Sequence, residues 1–362
     1  MRIDGSDYRT IWLDPDGRKV HVIDQTGLPH RFETRTLARC EDAAAAISNM
    51  TVRGAPLIGV TGAYGMALGV SRDPNDASVE SAHALLLATR PTAVNLRWAL
   101  DRLRALLLAA PVSERVDLAY AEAEKIAEED VAACQAIGRA GAELIDKARS
   151  GDAPINILTH CNAGWLCAVD WGTALAPIYA AARQGAPIHV WVDETRPRNQ
   201  GASLTAFELL GEKVPHTVIA DNAGGHLMQH GLVDLIIVGS DRTTRAGDVC
   251  NKIGTYLKAL AAHDNDVPFY VALPSSTVDW RIADGVRDIP IEERSPREVT
   301  HISGRGADGA PIEIQLTPDG SPARNFGFDV TPSRFVTGLI TERGVCPATE
   351  EGLRGLFPDL AR

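Results

Sequence analysis

The sequence predicts an α/β protein in which a small antiparallel sheet and a helical region precede a mostly parallel sheet. Three observations indicate this order. Residues 1–35 alternate between apolar and polar side chains, residues 37–110 are rich in Ala and Leu at helical spacing, and short apolar runs alternate with helical segments after residue 150. Strands that alternate with helices form right-handed βαβ units, whose strands run parallel.

The N-terminal alternation predicts a small antiparallel meander. Ile11–Leu13 and Lys19–Ile23 have strand character, and the residues between them, Asp14–Gly17, form a typical turn. The helical region that follows is interrupted at Val52–Pro56 and at Arg90–Thr92, because Gly and Pro break helices.

An amphipathic stretch from about residue 113 to about residue 148 predicts one long helix that bridges two halves of the chain. We therefore expect an N-terminal sheet-and-helix domain over residues 1–130 and a larger domain over residues 131–362. A chain of 362 residues is long enough for two such domains.

Five apolar runs predict the strands of the parallel sheet. They are Ile155–Thr159, Ile188–Val192, Thr217–Ala220, Leu235–Gly239 and Phe269–Leu273. Ligands bind beyond the carboxyl ends of parallel strands, so the residues directly after each run are the candidate site residues. The Gly- and Pro-rich stretch 304–322 predicts a hairpin or an exposed loop.

The composition argues against several classes of protein. The 36 Lys and Arg residues against 47 Asp and Glu leave a formal net charge of −11, whereas a sequence-independent nucleic-acid binder needs a basic surplus. No run approaches the ~18 apolar residues of a membrane helix. The first residues lack the features of a secretory signal. Six scattered cysteines without a Cys-x-x-Cys pair indicate a reducing, cytoplasmic environment.

The residues after the first and fourth apolar runs carry candidate chemistry. Cys161 lies near an expected helix start, which favours a thiolate, although an isolated Cys is more commonly a small buried residue. His160 is expected to point to the opposite side of the strand, so a Cys–His dyad is not supported. Asp241 is interpreted as a helix N-cap, as an ion-pair partner of Arg242, or as a general acid whose pKa an apolar environment raises.

Cationic and amide side chains near these positions are candidates for holding an anion. Arg53 directly precedes an expected helix start, where its guanidinium can clamp an anion. Asn251 and Lys252 are expected to open a helix, whose backbone N–H groups would bind phosphate together with the ammonium. The loop 193–201 is dense in hydrogen-bonding side chains, and a binding loop and a solvated loop explain this equally well.

No nucleotide or metal motif is found. The chain has neither a G-x-G-x-x-G pattern nor a P-loop pattern. His226 and His230 have the spacing of zinc ligands but lack the Glu of the H-E-x-x-H pattern. We therefore expect no metal ion and no nicotinamide cofactor.

Seven ordered motifs resemble those of the methylthioribose-1-phosphate isomerase family. They are RGAPLIG (Arg53–Gly59), TRPTAVNL (Thr89–Leu96), ILTHCNAG (Ile157–Gly164), DETRPRNQG (Asp193–Gly201), VGSDR (Val238–Arg242), GDVCNKIGTY (Gly247–Tyr256) and FDVTP (Phe328–Pro332). The likeness extends from about Thr36 to about Gly344. The wider superfamily also contains ribose-1,5-bisphosphate isomerases and regulatory subunits of the eukaryotic nucleotide-exchange factor for translation initiation.

The resemblance implies a small N-terminal domain followed by a larger Rossmann-like domain, assembled as a cytoplasmic homodimer. It places the family's active-site Cys on Cys161 and its catalytic Asp on Asp241. The substrate-binding positions that it implies are Arg53, Gly54, Ala55, Arg90, Gln200, Asn251 and Lys252. The implied activity is the conversion of 5-methylthioribose 1-phosphate into the corresponding ketose 1-phosphate in methionine salvage, without a cofactor.

Such a reaction requires an acid and a second group in a site closed to water, because the phosphate prevents the sugar from opening to a free aldehyde. We expect Asp241 to donate the proton and Cys161 to act as base or to stabilise the transition state, by an enediolate or a hydride-shift route. Isomerases of 5-deoxyribose 1-phosphate or ribose 1,5-bisphosphate are alternatives, and the latter would need a second basic pocket. A non-catalytic regulatory subunit would not need both Cys161 and Asp241.

Overall fold

The computed structural model describes residues 1–3, 5–149, 151 and 153–361, and it confirms the predicted α/β organisation. Small antiparallel sheets and a helical region precede a large, mostly parallel sheet. None of the described helices combines the length and the apolar character that crossing a membrane requires.

The N-terminal strands form two small antiparallel sheets. The strands are β1 (Arg2–Ile3), β2 (Ser6–Asp7), β3 (Ile11–Leu13), β4 (Val20–Ile23) and β5 (Thr34–Leu37). β1 pairs with β2, and β4 lies between β3 and β5. The predicted meander is therefore confirmed, and its central strand buries Val20 and Val22 in the core of the helical region and Ile23 in the core of the large sheet.

Five helices follow, and the second of them is the centre of the helical region. They are α1 (Cys40–Ser48), α2 (Ala55–Val70), α3 (Asp76–Thr89), α4 (Val94–Ala109) and α5 (Arg115–Ala148). α2 is buried along nearly its whole length and contacts the other four helices or their ends. The breaks predicted from Gly and Pro lie between α1 and α2 and between α3 and α4.

Helix α5 contributes to two hydrophobic cores. Ala123 and Val131 in its first half pack into the core of the helical region, whereas Ile137 and Ile145 in its second half pack against the large sheet. The predicted long helix is confirmed, with a short 3₁₀ turn over 112–114 before its first residue.

The second half of the chain contains thirteen strands and seven helices among its described residues. The first of them are β6 (Ile155–Thr159), α6 (Leu175–Arg183), β7 (Ile188–Asp193), α7 (Ala206–Gly211), β8 (His216–Ile219), α8 (Ala223–Gln229), β9 (Leu235–Val238), β10 (Arg242–Thr244), β11 (Val249–Lys252) and α9 (Thr255–Asp264). The remaining ones are β12 (Phe269–Ala272), β13 (Val278–Asp279), α10 (Gly285–Asp288), α11 (Arg297–Thr300), β14 (His301–Arg305), β15 (Pro311–Gln315), β16 (Phe328–Thr331), β17 (Gly338–Thr341), β18 (Gly344–Cys346) and α12 (Glu350–Leu356).

The large sheet has the strand order β18-β17-β12-β9-β6-β7-β8, and only β18 is antiparallel to its neighbour. All five strands that the apolar runs predict belong to it and run parallel. From β6 the chain builds outward through β7 and β8, and then returns to the other side of β6 with β9. The gap between the carboxyl ends of β6 and β9 is therefore the topological switch point, where open α/β sheets bind ligands.

Helices cover both faces of this sheet, as its almost continuous apolar strands require. Ile157 and Ile237 face the core that contains α5 and α6. Their neighbours Leu158 and Ile236 face the core that contains α9 and α12. Because the faces of the sheet are covered, the candidate site residues lie at the strand ends.

A second sheet of four strands, β13-β10-β11-β16, corrects one sequence expectation. Asn251 and Lys252 do not open a helix; they end β11, where Asn251 pairs with Asp329 and Lys252 with Phe328 of β16. Helix α9 begins only at Thr255, after Gly254 at φ +102°, a backbone conformation that favours glycine. The stretch 304–322, predicted as a hairpin or loop, contains β15 and the end of β14, which form an antiparallel hairpin that begins at His301.

Candidate active site

Two predicted residues, Cys161 and Asp241, lie at the switch point of the large sheet. Cys161 comes two residues after β6, and Asp241 comes three residues after β9, the neighbouring strand. The backbone N–H of Asp241 donates to the carbonyl oxygen of Cys250 at 3.0 Å, which ties this strand end to β11. The fold therefore brings together residues that lie 80 positions apart in the sequence.

The backbone of Cys161 is held in a strained conformation by two threonines. Its φ is +66°, in the left-handed region that side chains other than glycine rarely adopt, and Thr195 has a similar φ of +65°. The N–H of Cys161 donates to Thr195 Oγ1 at 2.8 Å, and its carbonyl oxygen accepts from Thr205 Oγ1 at 2.7 Å. Strain of this kind clusters at functional sites, where the surrounding structure enforces it.

Gln200 reaches the Cys161 thiol from the loop that follows β7. Its Oε1 accepts a hydrogen bond from Cys161 Sγ at 3.3 Å. The next residue, Gly201, opens a π-helical turn over 201–205, and a Cβ there would meet the carbonyl oxygen of Asp193 at 1.7 Å. Only glycine therefore permits the close approach that brings Gln200 to the thiol.

Burial raises the pKa of the Cys161 thiol. Arg53 and Lys252 act in the opposite direction, and Asp241 adds to the increase. The sequence suggested a helix start that would favour the thiolate, but only a short 3₁₀ turn over 165–167 follows, and α6 begins at Leu175. That expectation is wrong because desolvation outweighs the positive charges, so the thiol is predominantly protonated at neutral pH.

Asp241 is also held toward its protonated form. Burial raises the pKa of its carboxyl group, while the positive charges of Lys252, Arg90 and Arg53 lower it. Asp241 precedes strand β10 and not a helix, and Arg242 pairs with Asp279 at 3.6 Å. The N-cap and ion-pair interpretations are therefore wrong, and the environment fits that of a general acid.

Arg53 and its two neighbours lie at the start of α2. Both terminal nitrogens of Arg53 donate to Asn162, one to its side-chain oxygen and Nη2 to its carbonyl oxygen at 2.7 Å. Gly54 is the N-cap of α2 and packs on Cys167, and Ala55 is the first helical residue. The guanidinium is thus fixed beside the loop that carries Cys161.

Lys252 and Asn251 lie at the end of β11 with their side chains buried. Lys252 Nζ donates to the carbonyl oxygen of Gly327 at 2.9 Å, and Asn251 Nδ2 donates to Thr255 Oγ1 at 3.0 Å. Burial lowers the pKa of Lys252, whereas Cys161 and Asp241 raise it. These mutual effects indicate that the ammonium, the thiol and the carboxyl group share one electrostatic environment.

Arg90 is near the site, but its charge is already paired. Its Nη2 donates to Glu292 Oε2 at 2.8 Å, and Glu292 also accepts from Arg294 at 2.9 Å. The buried Nε of Arg90 has no hydrogen-bond partner within the described part of the chain. Arg90 therefore offers a buried free donor, although its charge is paired with Glu292.

Glu208 was not predicted from the sequence, yet it organises the loop after β6. Its carboxylate accepts four hydrogen bonds, from the backbone N–H groups of Trp165 and Leu166, from Asn162 Nδ2 and from the Tyr179 hydroxyl. Burial nevertheless raises its pKa to about 7. Because Asn162 also contacts Arg53, Glu208 fixes the orientation of the amide that holds the guanidinium. The sequence feature that could have indicated this role is a Glu within the mostly apolar stretch 204–210.

A cavity of about 340 Å³ opens beside Arg53 and Gln200. Leu28, Met50 and Leu204 form an apolar part of its wall. The other cationic side chains in the wall have acidic partners: Arg31 with Glu33 at 3.6 Å, Arg198 with Glu298 at 2.9 Å, and Arg297 with Glu313 at 2.5 Å. The cavity is therefore partly apolar, and Arg53 contacts the uncharged amide of Asn162.

The chain matches the Initiation factor 2 subunit family over residues 51–348. It is 66% identical over 362 residues to the methylthioribose-1-phosphate isomerase of Paramagnetospirillum magneticum, and the match covers both chains completely. The enzyme of the same name from Methylorubrum populi is also 66% identical, with 99% of each chain covered.

Two solved structures have the same overall fold. The 5-methylthioribose 1-phosphate isomerase of Pyrococcus horikoshii OT3 is 40% identical with a TM-score of 0.83, and the match covers 98% of this chain and 96% of that one. The translation initiation factor eIF-2B, subunit delta, from A. fulgidus is 40% identical with a TM-score of 0.80, covering 97% of this chain and 100% of that one. The chain is thus similar both to an enzyme and to an initiation factor subunit.

Proposed function

Because this chain belongs to the Initiation factor 2 subunit family, and its full-length relatives are named methylthioribose-1-phosphate isomerase, we propose that it converts 5-methylthioribose 1-phosphate into 5-methylthioribulose 1-phosphate. This is an aldose–ketose isomerisation of methionine salvage. The observation that carries the proposal is the position of Cys161 and Asp241 on neighbouring strand ends of the switch point, in one buried site with Arg53 and Lys252.

The alternative of a non-catalytic initiation factor subunit has less support from the site. Such a subunit has no need to raise the pKa of a buried carboxyl group beside a strained cysteine. Burial of ionisable groups against specific charge partners is instead typical of catalytic sites. The likeness to the eIF-2B subunit supports the shared fold, and the Cys161–Asp241 site supports the enzyme.

The isomerisation requires a defined movement of protons and electrons. The bond between C1 and the ring oxygen breaks, and the ring oxygen gains a proton. The hydrogen on C2 moves to C1, and the C2 hydroxyl loses its proton as it becomes the carbonyl group. The atoms balance with one group that first gives and then takes a proton, so no cofactor is needed.

Asp241 fits that role in our proposal. Its raised pKa supplies the protonated carboxyl group that donates to the ring oxygen, and the resulting carboxylate can accept the proton of the C2 hydroxyl. Cys161 is also held protonated, which makes it a poor base. A neutral thiol favours transfer of the C2 hydrogen to C1 as a hydride, with Cys161 stabilising the transition state.

The phosphate would be held by Arg53, Lys252 and the start of α2. Arg53 retains N–H groups that Asn162 does not use, and Gly54 and Ala55 present the N-terminal backbone of a 16-residue helix. Asn251 and the buried Nε of Arg90 supply further donors in the proposed arrangement. Gln200 would bind a sugar hydroxyl next to the thiol.

The wall of the adjacent cavity favours a methylthio group over a second phosphate. Leu28, Met50 and Leu204 offer an apolar surface. Arg198 and Arg297 pair with Glu298 and Glu313, so they do not provide the unpaired positive charge that a 5-phosphate requires. Ribose 1,5-bisphosphate is therefore a weaker candidate for the substrate. 5-Deoxyribose 1-phosphate differs from the methylthio sugar only because it would fill less of the cavity.

We further propose that the chain divides near residue 130 and that the larger, Rossmann-like part carries the acid and the thiol. The two hydrophobic cores on which α5 packs support this division. We also propose that the protein is a cytoplasmic homodimer; the free thiols of the described cysteines agree with a reducing compartment, and the homodimer rests on the family resemblance. Sedimentation of the purified protein at several concentrations tests the homodimer.

The proposed activity is tested by incubating the purified protein with 5-methylthioribose 1-phosphate, 5-deoxyribose 1-phosphate and ribose 1,5-bisphosphate in separate reactions. We expect kcat/KM to be highest for the methylthio sugar and lowest for the bisphosphate. The highest kcat/KM on the bisphosphate would contradict the assignment of the apolar cavity.

A further inference from the structure

His160, the residue before Cys161, has a buried imidazole ring that the proposed mechanism does not use. The ring is 1% exposed, and both of its nitrogens have partners. Nδ1 lies 2.8 Å from Asp193 Oδ2, and Nε2 lies 2.8 Å from the carbonyl oxygen of Ile253. The ring thus makes two long-range contacts, and the thiol is neither of its hydrogen-bond partners.

Each contact reaches a segment that carries a residue of the candidate site. Ile253 directly follows Lys252, at the end of β11. Asp193 ends β7 and begins the loop that leads to Thr195 and Gln200. His160 therefore joins the strand end of Cys161 to both of these segments.

The chemistry of the partners fixes which atoms donate. A carbonyl oxygen only accepts hydrogen bonds, so Nε2 of His160 carries a hydrogen and donates it to Ile253. On the other side, one proton lies between Nδ1 and the Asp193 carboxylate. The neutral tautomer protonated at Nδ1 alone would break the link to Ile253.

A metal ion is a second interpretation of this cluster. One ligand atom each of His160, Asp193 and Asp221 lies within 4.8 Å of the others. However, the buried ammonium of Lys258 lies 3.2 Å from Asp193 Oδ2 and donates to the carbonyl oxygen of Asp221. The lysine thus supplies the positive charge that balances the carboxylate, and we interpret the cluster as a hydrogen-bonded support.

The segment after Lys252 is also held from its other side. Asp329 accepts from the backbone N–H groups of Gly254 at 2.7 Å and Tyr256 at 3.1 Å. These bonds fix the first turn of α9 but leave the Ile253 carbonyl to His160. The imidazole of His160 thus links the backbone next to Lys252 to the backbone next to Cys161.

We propose that His160 is a positioning residue, which sets the Lys252 backbone relative to Cys161 through its Nε2–H bond to Ile253. The inference rests on the proposed function, because it assumes that Lys252 binds the substrate phosphate. A displacement of about 1 Å in such a group reduces turnover about 100-fold. Loss of this one hydrogen bond is therefore expected to weaken phosphate binding and to lower kcat/KM.

Two substitutions separate the two contacts of the ring. In His160→Asn the amide nitrogen can occupy the position of Nδ1, so the bond to Asp193 can remain while the bond to Ile253 is lost. In His160→Gln the amide nitrogen can reach the position of Nε2, so the bond to Ile253 remains. His189→Asn is the matched control, since His189 lies on β7 with its ring on Thr217 Oγ1, outside the site.

We expect His160→Asn to raise KM for 5-methylthioribose 1-phosphate at least about 10-fold and to lower kcat/KM about 100-fold. His160→Gln should recover most of the loss in KM, and His189→Asn should stay within about 2-fold of the wild type. Equal losses in KM for the two His160 variants, or no loss in either, would overturn the proposal.

A double-mutant cycle distinguishes positioning from general structural support. If His160 acts through Lys252, His160→Asn should have little further effect on KM in a Lys252→Met background. Multiplicative losses in KM would contradict the proposal. Circular dichroism spectra accompany each measurement, to verify that both variants are folded.

The protonation state of His160 in the wild-type protein provides a test that does not depend on activity. ¹⁵N-histidine NMR, assigned with His160→Gln, should show a slowly exchanging hydrogen on Nε2 of His160. An unprotonated Nε2 would overturn the link to Ile253. If the wild type shows the protonated Nε2 but fails to convert the sugar, the proposed function fails and the link itself stands.

Discussion

Arg53 and Asn162, which lie 109 residues apart, are joined by two hydrogen bonds from one guanidinium to the side chain and the backbone of one asparagine. This pair connects the start of α2 to the loop that carries Cys161. The same asparagine donates to Glu208 at 2.8 Å, so the position of Arg53 depends on a buried carboxylate as well.

Replacing Arg53 tests whether the guanidinium binds the substrate phosphate. Lysine keeps the charge but lacks the planar fork, so Arg53→Lys cannot contact both atoms of Asn162 and a phosphate together. We expect KM for the sugar phosphate to rise about 10- to 100-fold, which corresponds to the loss of one or two charge-assisted hydrogen bonds. Arg9→Lys, at a half-exposed pair with Glu128, is the control and should leave KM unchanged. An unchanged KM in Arg53→Lys would show that Arg53 has only a structural role.

Replacing Cys161 tests the role of the thiol. Serine is smaller and its hydroxyl is less polarisable, so we expect Cys161→Ser to lower kcat at least about 100-fold while the melting temperature stays close to that of the wild type. Cys40→Ser is the matched control, because Cys40 is also buried but begins α1, far from the switch point in the sequence. A fully active Cys161→Ser enzyme would remove the thiol from the mechanism.

Glu208→Gln tests the support behind Arg53. A glutamine keeps the shape of the side chain but turns one acceptor oxygen into a donor that faces groups which themselves donate. At pH 8 we expect a loss of about 2–4 kcal/mol in the free energy of unfolding, measured by urea denaturation. The exposed control Glu143→Gln should stay within about 0.5 kcal/mol. Equal stability of the two variants would mean that the four hydrogen bonds contribute nothing.

Asp130 predicts a pH dependence of stability. Burial raises the pKa of its carboxyl group to about 7, although the Val169 N–H lowers it and Asp170 raises it further. Because the pKa is higher in the folded than in the unfolded state, this contribution to stability is complete below about pH 4 and is lost as the pH rises through 7. The slope contributed by this group is at most about 1.4 kcal/mol per pH unit.

The measurement is the free energy of unfolding between pH 4 and pH 8 for the wild type and for Asp130→Asn. The asparagine oxygen still accepts from Val169, so the variant should fold and its stability should fall less steeply with pH. Identical slopes for the two proteins would show that Asp130 has an ordinary pKa in the folded state.

Much of the fold follows from the sequence because its signals are local. Continuous apolar runs such as Ile155–Thr159 are long enough to identify buried strands, and the 34-residue helix α5 repeats its pattern over many turns. The rule that ligands bind beyond the carboxyl ends of parallel strands predicts Cys161 and Asp241 as candidate site residues. The strand predictions are confirmed because burial on both faces requires nearly continuous apolar runs in the sequence.

The incorrect expectations depend on distant partners. Asn251 and Lys252 form a strand because they pair with β16, which lies about 75 residues further along the chain, and no local pattern contains that partner. Arg90 stays a predicted substrate-binding residue, but its ion pair with Glu292, which lies 202 residues away, could not be predicted from a local pattern. Glu208 was overlooked because an acidic residue in a helix usually faces solvent.

The central claim is that Asp241 is the acid of a sugar-phosphate isomerase, and NMR with C2-deuterated 5-methylthioribose 1-phosphate tests it most directly. Asp241→Asn is compared with the wild type and with Asp264→Asn, an exposed control at the end of α9. We predict that the wild type and the control form 5-methylthioribulose 1-phosphate with deuterium at C1, and that Asp241→Asn forms it at least about 1,000-fold more slowly with a similar KM. A folded wild-type protein that forms no product, or near-normal turnover by Asp241→Asn, would contradict this account.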